Sequence, residues 1–197
     1  MLKYLLFLFI FSGSACYGQQ SKTYKDSLLA YQHEYTASHE VVKGKEKRFF
    51  RFFPIDQQFA VMATVEKLYD SIGFTMKTSA GTLQHYLKYG RLNFTLSGKQ
   101  YSLFVYQSSD LMKKEKYRDY LFVPFTDATT GDESYGGGRY LEFYITDIHH
   151  NSLFIDFNKA YNPYCAYATG FHCPIPPKEN QLSVAIKAGE MAFGKHH

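Results

Sequence analysis

Two periodicities divide the chain. Between residues 22 and 39, Leu28, Tyr31 and Tyr35 recur at helical spacing, which predicts one helix with a single apolar face. From residue 58 the period changes to two. Phe59, Val61, Ala63 and Val65 share one face of a predicted strand, and "GFTMKTSAG" (73–81) follows as a short strand and turn. In "RLNFTLSGKQYSLFVYQS", Leu92, Phe94 and Leu96 are separated from Tyr101, Leu103 and Val105 by Ser97-Gly98-Lys99, the pattern of a β-hairpin. A charged linker or helical turn (111–120) leads to the strand "LFVPF", which runs into a turn-rich stretch.

Three further strands are predicted. The first, "RYLEFYITDI", has Leu141, Phe143 and Ile145 on one face; the second, "NSLFIDFNKAYNP", has Leu153, Ile155 and Phe157. Matching those faces in a hairpin requires an odd-length connection, such as His149-His150-Asn151 with Asn151 left-handed. After a Pro-rich stretch, "LSVAIKAGE" (182–190) alternates as a last strand. Many short strands punctuated by turn residues give a mainly β fold: a small antiparallel barrel or sandwich with an N-terminal helix.

Composition sharpens this picture at the N-terminus. Residues 1–18, "MLKYLLFLFIFSGSACYG", have a charged start, an apolar run and small residues at the end. That is the pattern of a secretory signal peptide, too short for a mature membrane span. Cleavage after Gly18 leaves residues 19–197 as one β-rich domain, periplasmic or secreted. A lipid anchor through Cys16 is the alternative, but Gly13 stands where a lipoprotein signal has a Leu-like residue. No other stretch has the length and apolarity of a transmembrane segment. The chain carries 18 Tyr and 18 Phe but no Trp, and a net charge of +4. The charge is too small and diffuse to indicate a nucleic-acid partner, and "KGKEKRFFRFFPID" reads as a solvated basic segment before a strand.

The polar positions that invite a chemical reading cluster late in the chain. In "GDESYGGGR", Gly136, Gly137 and Gly138 precede a strand rather than a helix, so they make neither a phosphate loop nor a dinucleotide fingerprint. They fit a turn or bulge, or a concavity of exposed N–H groups suited to an anion. Arg139 shares the parity of Leu141 and Phe143, which puts a guanidinium at the rim of the interior. It requires either an anionic ligand or an internal partner such as Asp127, Asp132, Asp156 or Glu190. Tyr140, Glu142, Tyr144, Asp156 and Asn158 are expected on the opposite face of their two strands.

Cys165 and Cys173 remain after leader removal, and an even count in an oxidising compartment points first to a disulfide. The other readings are a catalytic Cys165 with His172 as base, or two reduced, packed thiols. His149 and His150 read as a polar turn, since neighbours on an extended chain diverge. Cys165, His172 and Cys173 lack a fourth ligand of suitable spacing, so no metal site is expected. No cofactor motif is present.

The stretches "PFTDATTGDESYGGGRYLEF" and "DFNKAYNPYCAYATGFHCPIPPKENQLSVAIKAGE" resemble the bacterial and archaeal domain-of-unknown-function family 1684. The resemblance extends from about residue 25 to the end. It implies that Asp127, Gly136 to Gly138, Arg139, Asp156, Asn158, Tyr161, Asn162, Cys165, Cys173, Asn180 and Glu190 lie in the family's motif segments, and it assigns none of them a role. The residues themselves favour a binding module for a small polar or anionic ligand, held near Arg139 and the glycines by Asp127, Asp156, Asn158 and Glu190. The alternatives are an enzyme using Asp156 or Glu190 as acid/base and Cys165 as nucleophile, and a structural or interaction protein of the envelope.

Overall fold

The structure is a computed structural model that describes residues 15–195, with side chains described from residue 23. The predicted leader falls largely on residues 1–14, outside the described residues. Helix α1 (Ala15–Ser38) covers the predicted helix and begins earlier. Seven strands follow: β1 (Ala60–Lys67), β2 (Phe74–Lys77), β3 (Leu83–Leu96), β4 (Lys99–Ser108), β5 (Tyr120–Phe125), β6 (Arg139–Tyr144) and β7 (Ser152–Asp156).

They form one antiparallel sheet in the order β6-β5-β4-β3-β1-β7, with β2 also paired to β3. The sheet curls into a half-barrel, the barrel alternative of the sequence reading. The β3–β4 hairpin closes through Ser97 and Gly98, both left-handed at φ 50° and 76°. Tyr89 is extra in β3, between the pairs Lys88–Tyr106 and Gly90–Val105. Such a bulge bends its strand. Gly90 sits at the bend because a Cβ there would meet the Glu66 carbonyl at 2.9 Å.

The concave side holds the main core: Ala63, Val65, Leu92, Phe94, Leu96, Leu103, Val105, Leu121, Val123, Leu141, Leu153 and Ile155. On the outer side of the central strands, Met76, Tyr86, Tyr106, Phe122 and Tyr140 form a second apolar cluster. The run from Leu121 to Phe125 is therefore buried throughout, where a half-exposed strand would alternate.

Two strand predictions need correction. β6 and β7 are consecutive but do not pair; they lie at opposite ends of the sheet order. β6 ends at Tyr144, Ile145–Asp147 forms a 3₁₀ turn, and His149 and Ser152 exchange both backbone hydrogen bonds. His150 and Asn151 occupy that turn at φ 50° and 58°. The left-handed Asn151 is as expected, but the turn starts β7 towards β1 instead of folding it onto β6. Nor is 182–190 a strand. It is an extended segment with Leu182, Ile186, Ala188 and Glu190 buried. The alternation reported burial correctly, but Ile186, Ala188 and the Glu190 carbonyl find side-chain partners in place of a strand ladder.

Candidate functional site

Arg139 is the partner that replaces a strand. Its side chain is fully buried. Every second carbonyl of an extended segment points the same way, and the guanidinium takes three of them. Nη2 donates to Ile186 O at 2.8 Å; Nη1 donates to Ala188 O and, at 3.2 Å, to Glu190 O. Nη2 also donates to Asp127 Oδ2 at 2.8 Å. The other carboxylate oxygen of Asp127 accepts from the Thr129 N–H and hydroxyl and from the Ile186 N–H. The guanidinium lies 5.6 Å from the Phe53 ring centre and 5.4 Å from that of Phe125.

Arg139 is thus in the core, not at its rim, and four of its hydrogen bonds go to protein acceptors. The glycines serve this placement. Gly138 N–H bonds Tyr135 O at 3.0 Å, closing a turn. At φ 82°, a Cβ on Gly138 would lie 2.6 Å from Phe125 O. A glycine is needed there so that the chain can pass β5 closely and deliver the arginine inward.

Asp156 and Asn158 are likewise engaged internally. Asp156 Oδ1 accepts from the Asn158 backbone and side-chain N–H groups, and Oδ2 accepts from Tyr24 at 3.0 Å. Asn158 also exchanges hydrogen bonds with the Asp56 backbone, at 3.0 and 2.8 Å. Together they fix α1 and the 56–59 turn against the end of β7. Asn180, fully buried, bonds both backbone groups of Phe104 and the carbonyl of Pro124. Its amide bridges β4 and β5 where their register is open, a role that its sequence position gave no sign of.

Glu190 occupies a different pocket of the same interior. Its carboxylate accepts from the Asn162 N–H at 2.9 Å, Tyr35 at 3.1 Å and Tyr167 at 2.6 and 2.7 Å. Burial pushes it up from 4.5 to about 7, against the lowering effect of these donors. Gly189 makes this possible, since a Cβ there would lie 2.5 Å from Ala160 O.

Tyr35 connects this buried acid to an open cleft of about 630 Å³. The walls come from α1 (Tyr31, Tyr35, Ser38), the residues after it (His39, Glu40), β6 (Tyr140, Glu142), and the segments around Tyr161, Tyr164 and Phe171. Hydroxyls dock α1 onto the body: Tyr24 to Asp156, Tyr31 to Lys159 O and Tyr35 to Glu190. Tyr161 donates to Glu142, and Tyr164 donates to Glu40 at 3.1 Å. His39 Nδ1 accepts from Val42 N–H at 3.0 Å, so its proton is on Nε2, which is buried without a hydrogen-bond partner. Burial, aided by Lys43 and Lys47, pushes His39 down to about 4, so the ring is neutral near pH 7.

Cys165 and Cys173 stand at disulfide distance, Cα to Cα 6.3 Å, and tie off the loop beneath Phe171 and His172. His172 Nδ1 contacts Thr82 Oγ1 at 3.0 Å rather than the sulfur. A second hollow, of about 530 Å³, lies between the open edges of β6 and β7 and shares Tyr31, Glu142 and Tyr161 with the cleft. It brings Glu142, Tyr144 and Asp156 together as the sequence suggested. Curling of the sheet does this, not the hairpin pairing from which it was inferred.

The sequence reading missed the cleft. One signal was available: Tyr31, Tyr35 and His39 stand at i, i+4, i+8, a ring-bearing stripe along one helix face.

Fold and site define a class: an antiparallel half-barrel closed by an N-terminal helix, with a buried arginine–aspartate pair behind a tyrosine-lined cleft. Within that class the family is specific. The family model described as "Protein of unknown function (DUF1684)" matches residues 48–191, and the chain belongs to this family. Among solved structures, the chain is similar to an uncharacterized protein of Haloarcula marismortui determined by solution NMR. The two share 31% identity at a TM-score of 0.65, over 90% of this chain and 99% of that one. None of the curated proteins matches.

Proposed function

We propose that the protein is an exported binding module that takes a small polar ligand into the tyrosine-lined cleft. The observation that carries this reading is the cleft itself. Its volume of about 630 Å³ suits a small molecule, and its mostly aromatic walls carry a few converging polar groups. Arg139, Asp127, Gly136 to Gly138, Asp156 and Asn158 act behind it as scaffold, and Glu190 supports its floor through Tyr35. The apolar leader pattern and the cysteine pair support export. Among the described residues, no helix is long and apolar enough to cross a membrane.

The test is a ligand-observed NMR screen of small polar metabolites against the mature protein and a Ser38→Trp variant. Ser38 is exposed at the cleft, so an indole there fills the mouth without disturbing the core. Compounds that bind the wild type should lose their signal transfer with the variant. Equal transfer to both proteins would remove the cleft from the argument.

A second reading, as an enzyme, has one observation in its favour. Glu190 is raised to about 7 and reaches the cleft wall through the Tyr35 hydroxyl. It predicts that bound compounds are chemically altered on incubation, and that Tyr35→Phe and Glu190→Gln both stop the change.

A further inference from the structure

The charge and shape of the cleft restrict what can occupy it. Glu40 and Glu142 line it, together with five tyrosines, Phe171, two histidines and no Lys or Arg. Neither carboxylate has an ion-pair partner among the described residues. Glu40 accepts the Tyr164 hydroxyl and Glu142 those of Tyr161 and Tyr120, which leaves further lone pairs of each carboxylate open to a donor. Those tyrosines keep their protons: Tyr161 is pushed well up by burial and by Glu142, and Tyr164 is raised by burial and Glu40. His39 adds no positive charge near pH 7. The Lys159 ammonium, 5.4 Å from the Tyr31 ring centre, borders the neighbouring hollow rather than the cleft. Lys43 and Lys47 donate to the carbonyls of His39 and Ala37, but neither lines the cleft, so the charges on its lining are the two carboxylates.

The rings reinforce that sign. An aromatic face carries the negative lobe of its quadrupole, so a ring-walled cavity attracts a cation. Their arrangement also matters. Tyr140 and Tyr161 meet at 90°, His39 and Tyr164 at 84°, and Tyr164 and Phe171 at 58°. Such ring-on-ring packing holds the aromatic wall in a fixed arrangement. A bare metal ion is poorly matched, because no group of three or more His, Cys, Asp or Glu among the described residues is placed to hold one. An anion would meet two carboxylates and no Lys or Arg in the lining.

We propose that the ligand of this cleft is an organic ammonium ion, an alkylated amine of metabolite size, with Glu142 as its principal counter-charge and the tyrosine rings around its alkyl groups. This rests on the cleft being a ligand site at all. It also replaces the anionic half of the sequence expectation, since the arginine that suggested an anion is enclosed in the core.

The experiment compares choline with 3,3-dimethyl-1-butanol, which has the same shape without the charge, by titration calorimetry at low ionic strength. The mature wild type, Ser38→Trp and Glu142→Gln are the three proteins compared. Choline should bind the wild type at least tenfold more tightly than the neutral isostere, and more weakly as salt is raised. Ser38→Trp should bind neither. Glu142→Gln, a change at an exposed residue, should lose about tenfold for choline and leave the isostere unchanged. Equal affinity for the two compounds overturns the cation assignment and leaves the cleft. The same holds if neither binds while glucose or acetate binds in a manner that Ser38→Trp abolishes. If no small molecule binds in a manner sensitive to Ser38→Trp, both readings fall. The wild-type comparison of charged and neutral isosteres decides the matter even if Glu142→Gln proves unstable.

Discussion

Replacing Arg139 by lysine keeps the charge and removes the fork, which makes it the sharpest test of the core described above. The guanidinium makes four hydrogen bonds, to Asp127 Oδ2 and to the carbonyls of Ile186, Ala188 and Glu190. A lysine ammonium has three donors in tetrahedral array on a shorter reach. It can stay with Asp127, but it cannot also follow three carbonyls spaced along an extended chain. At least one buried carbonyl is left without a donor, and a hydrogen bond to a charged group is worth about 1.5–3 kcal/mol. The gap between the rings of Phe53 and Phe125 adds lost packing.

The expected loss is about 3 kcal/mol, or roughly 6–12 °C in Tm for a domain of this size. Asp127→Ala strands the arginine charge and should cost about 3–5 kcal/mol. Because the two residues act as one unit, Arg139→Met combined with Asp127→Leu should cost much less than the sum of the single changes. The assay is urea unfolding followed by far-UV circular dichroism, since the chain has no tryptophan to report by fluorescence. A loss below about 1 kcal/mol for Arg139→Lys would refute the reasoning. So would strict additivity in the double variant.

Three other outcomes follow from the same geometry. Glu190 has a folded value raised from 4.5 to about 7, so the folded state holds more protons than the unfolded state between those limits. Its contribution to stability is full below about pH 4.5 and is lost as pH rises to about 7, by on the order of 3 kcal/mol; Glu190→Gln should flatten that slope in urea unfolding run from pH 4 to pH 8. Gly138→Ala should destabilise by about 2 kcal/mol or more, given φ 82° and a 2.6 Å clash with Phe125 O. Gly136→Ala, whose Cβ would have only the Gly131 Cα at 3.7 Å, should be neutral or slightly stabilising by thermal unfolding; equal effects at the two positions would undo the turn assignment. Reduction of the Cys165–Cys173 pair, eight residues apart, should cost about 2.5 kcal/mol of unfolding free energy, and thiol titration of the unreduced, unfolded protein should find no free thiol.

The sequence showed most of what depends on burial and little of what depends on which surfaces meet. Period-two alternation identified β1, the β3–β4 hairpin, β6 and β7, because a residue's face on a strand is fixed by parity alone. The same rule placed Arg139 inward with Leu141 and Phe143, and it is buried. Parity cannot report what lies opposite. It made 182–190 a strand when the hydrogen-bond partner of three of its carbonyls is one guanidinium. It also joined β6 to β7, because two neighbouring apolar faces look the same whether they pair directly or meet across a curled sheet. The ligand reading of Arg139 met a related ambiguity. A charged residue after three glycines has one local signature, whether the glycines open space for a ligand or remove side chains so that the backbone can close.

That ambiguity is resolved by the bulk that a Cβ would meet, which is a tertiary quantity. At Gly138 and Gly189 the nearest obstructing atoms are backbone carbonyls, of Phe125 in β5 and of Ala160, each on another segment. Both glycines therefore bring segments together, and both are followed by a buried charged residue, Arg139 in one case and Glu190 in the other. The pairing has a consequence for the cleft. Arg139 holds the backbone of 186–190 by its carbonyls, and that segment in turn presents the Glu190 carboxylate to Tyr35 in the cleft wall. A residue that touches no ligand can thus set the position of one that lines the site. Loosening the Arg139 fork should then disturb the cleft through Tyr35, whereas Glu142, three residues further along the same strand, is held by the β5–β6 pairing.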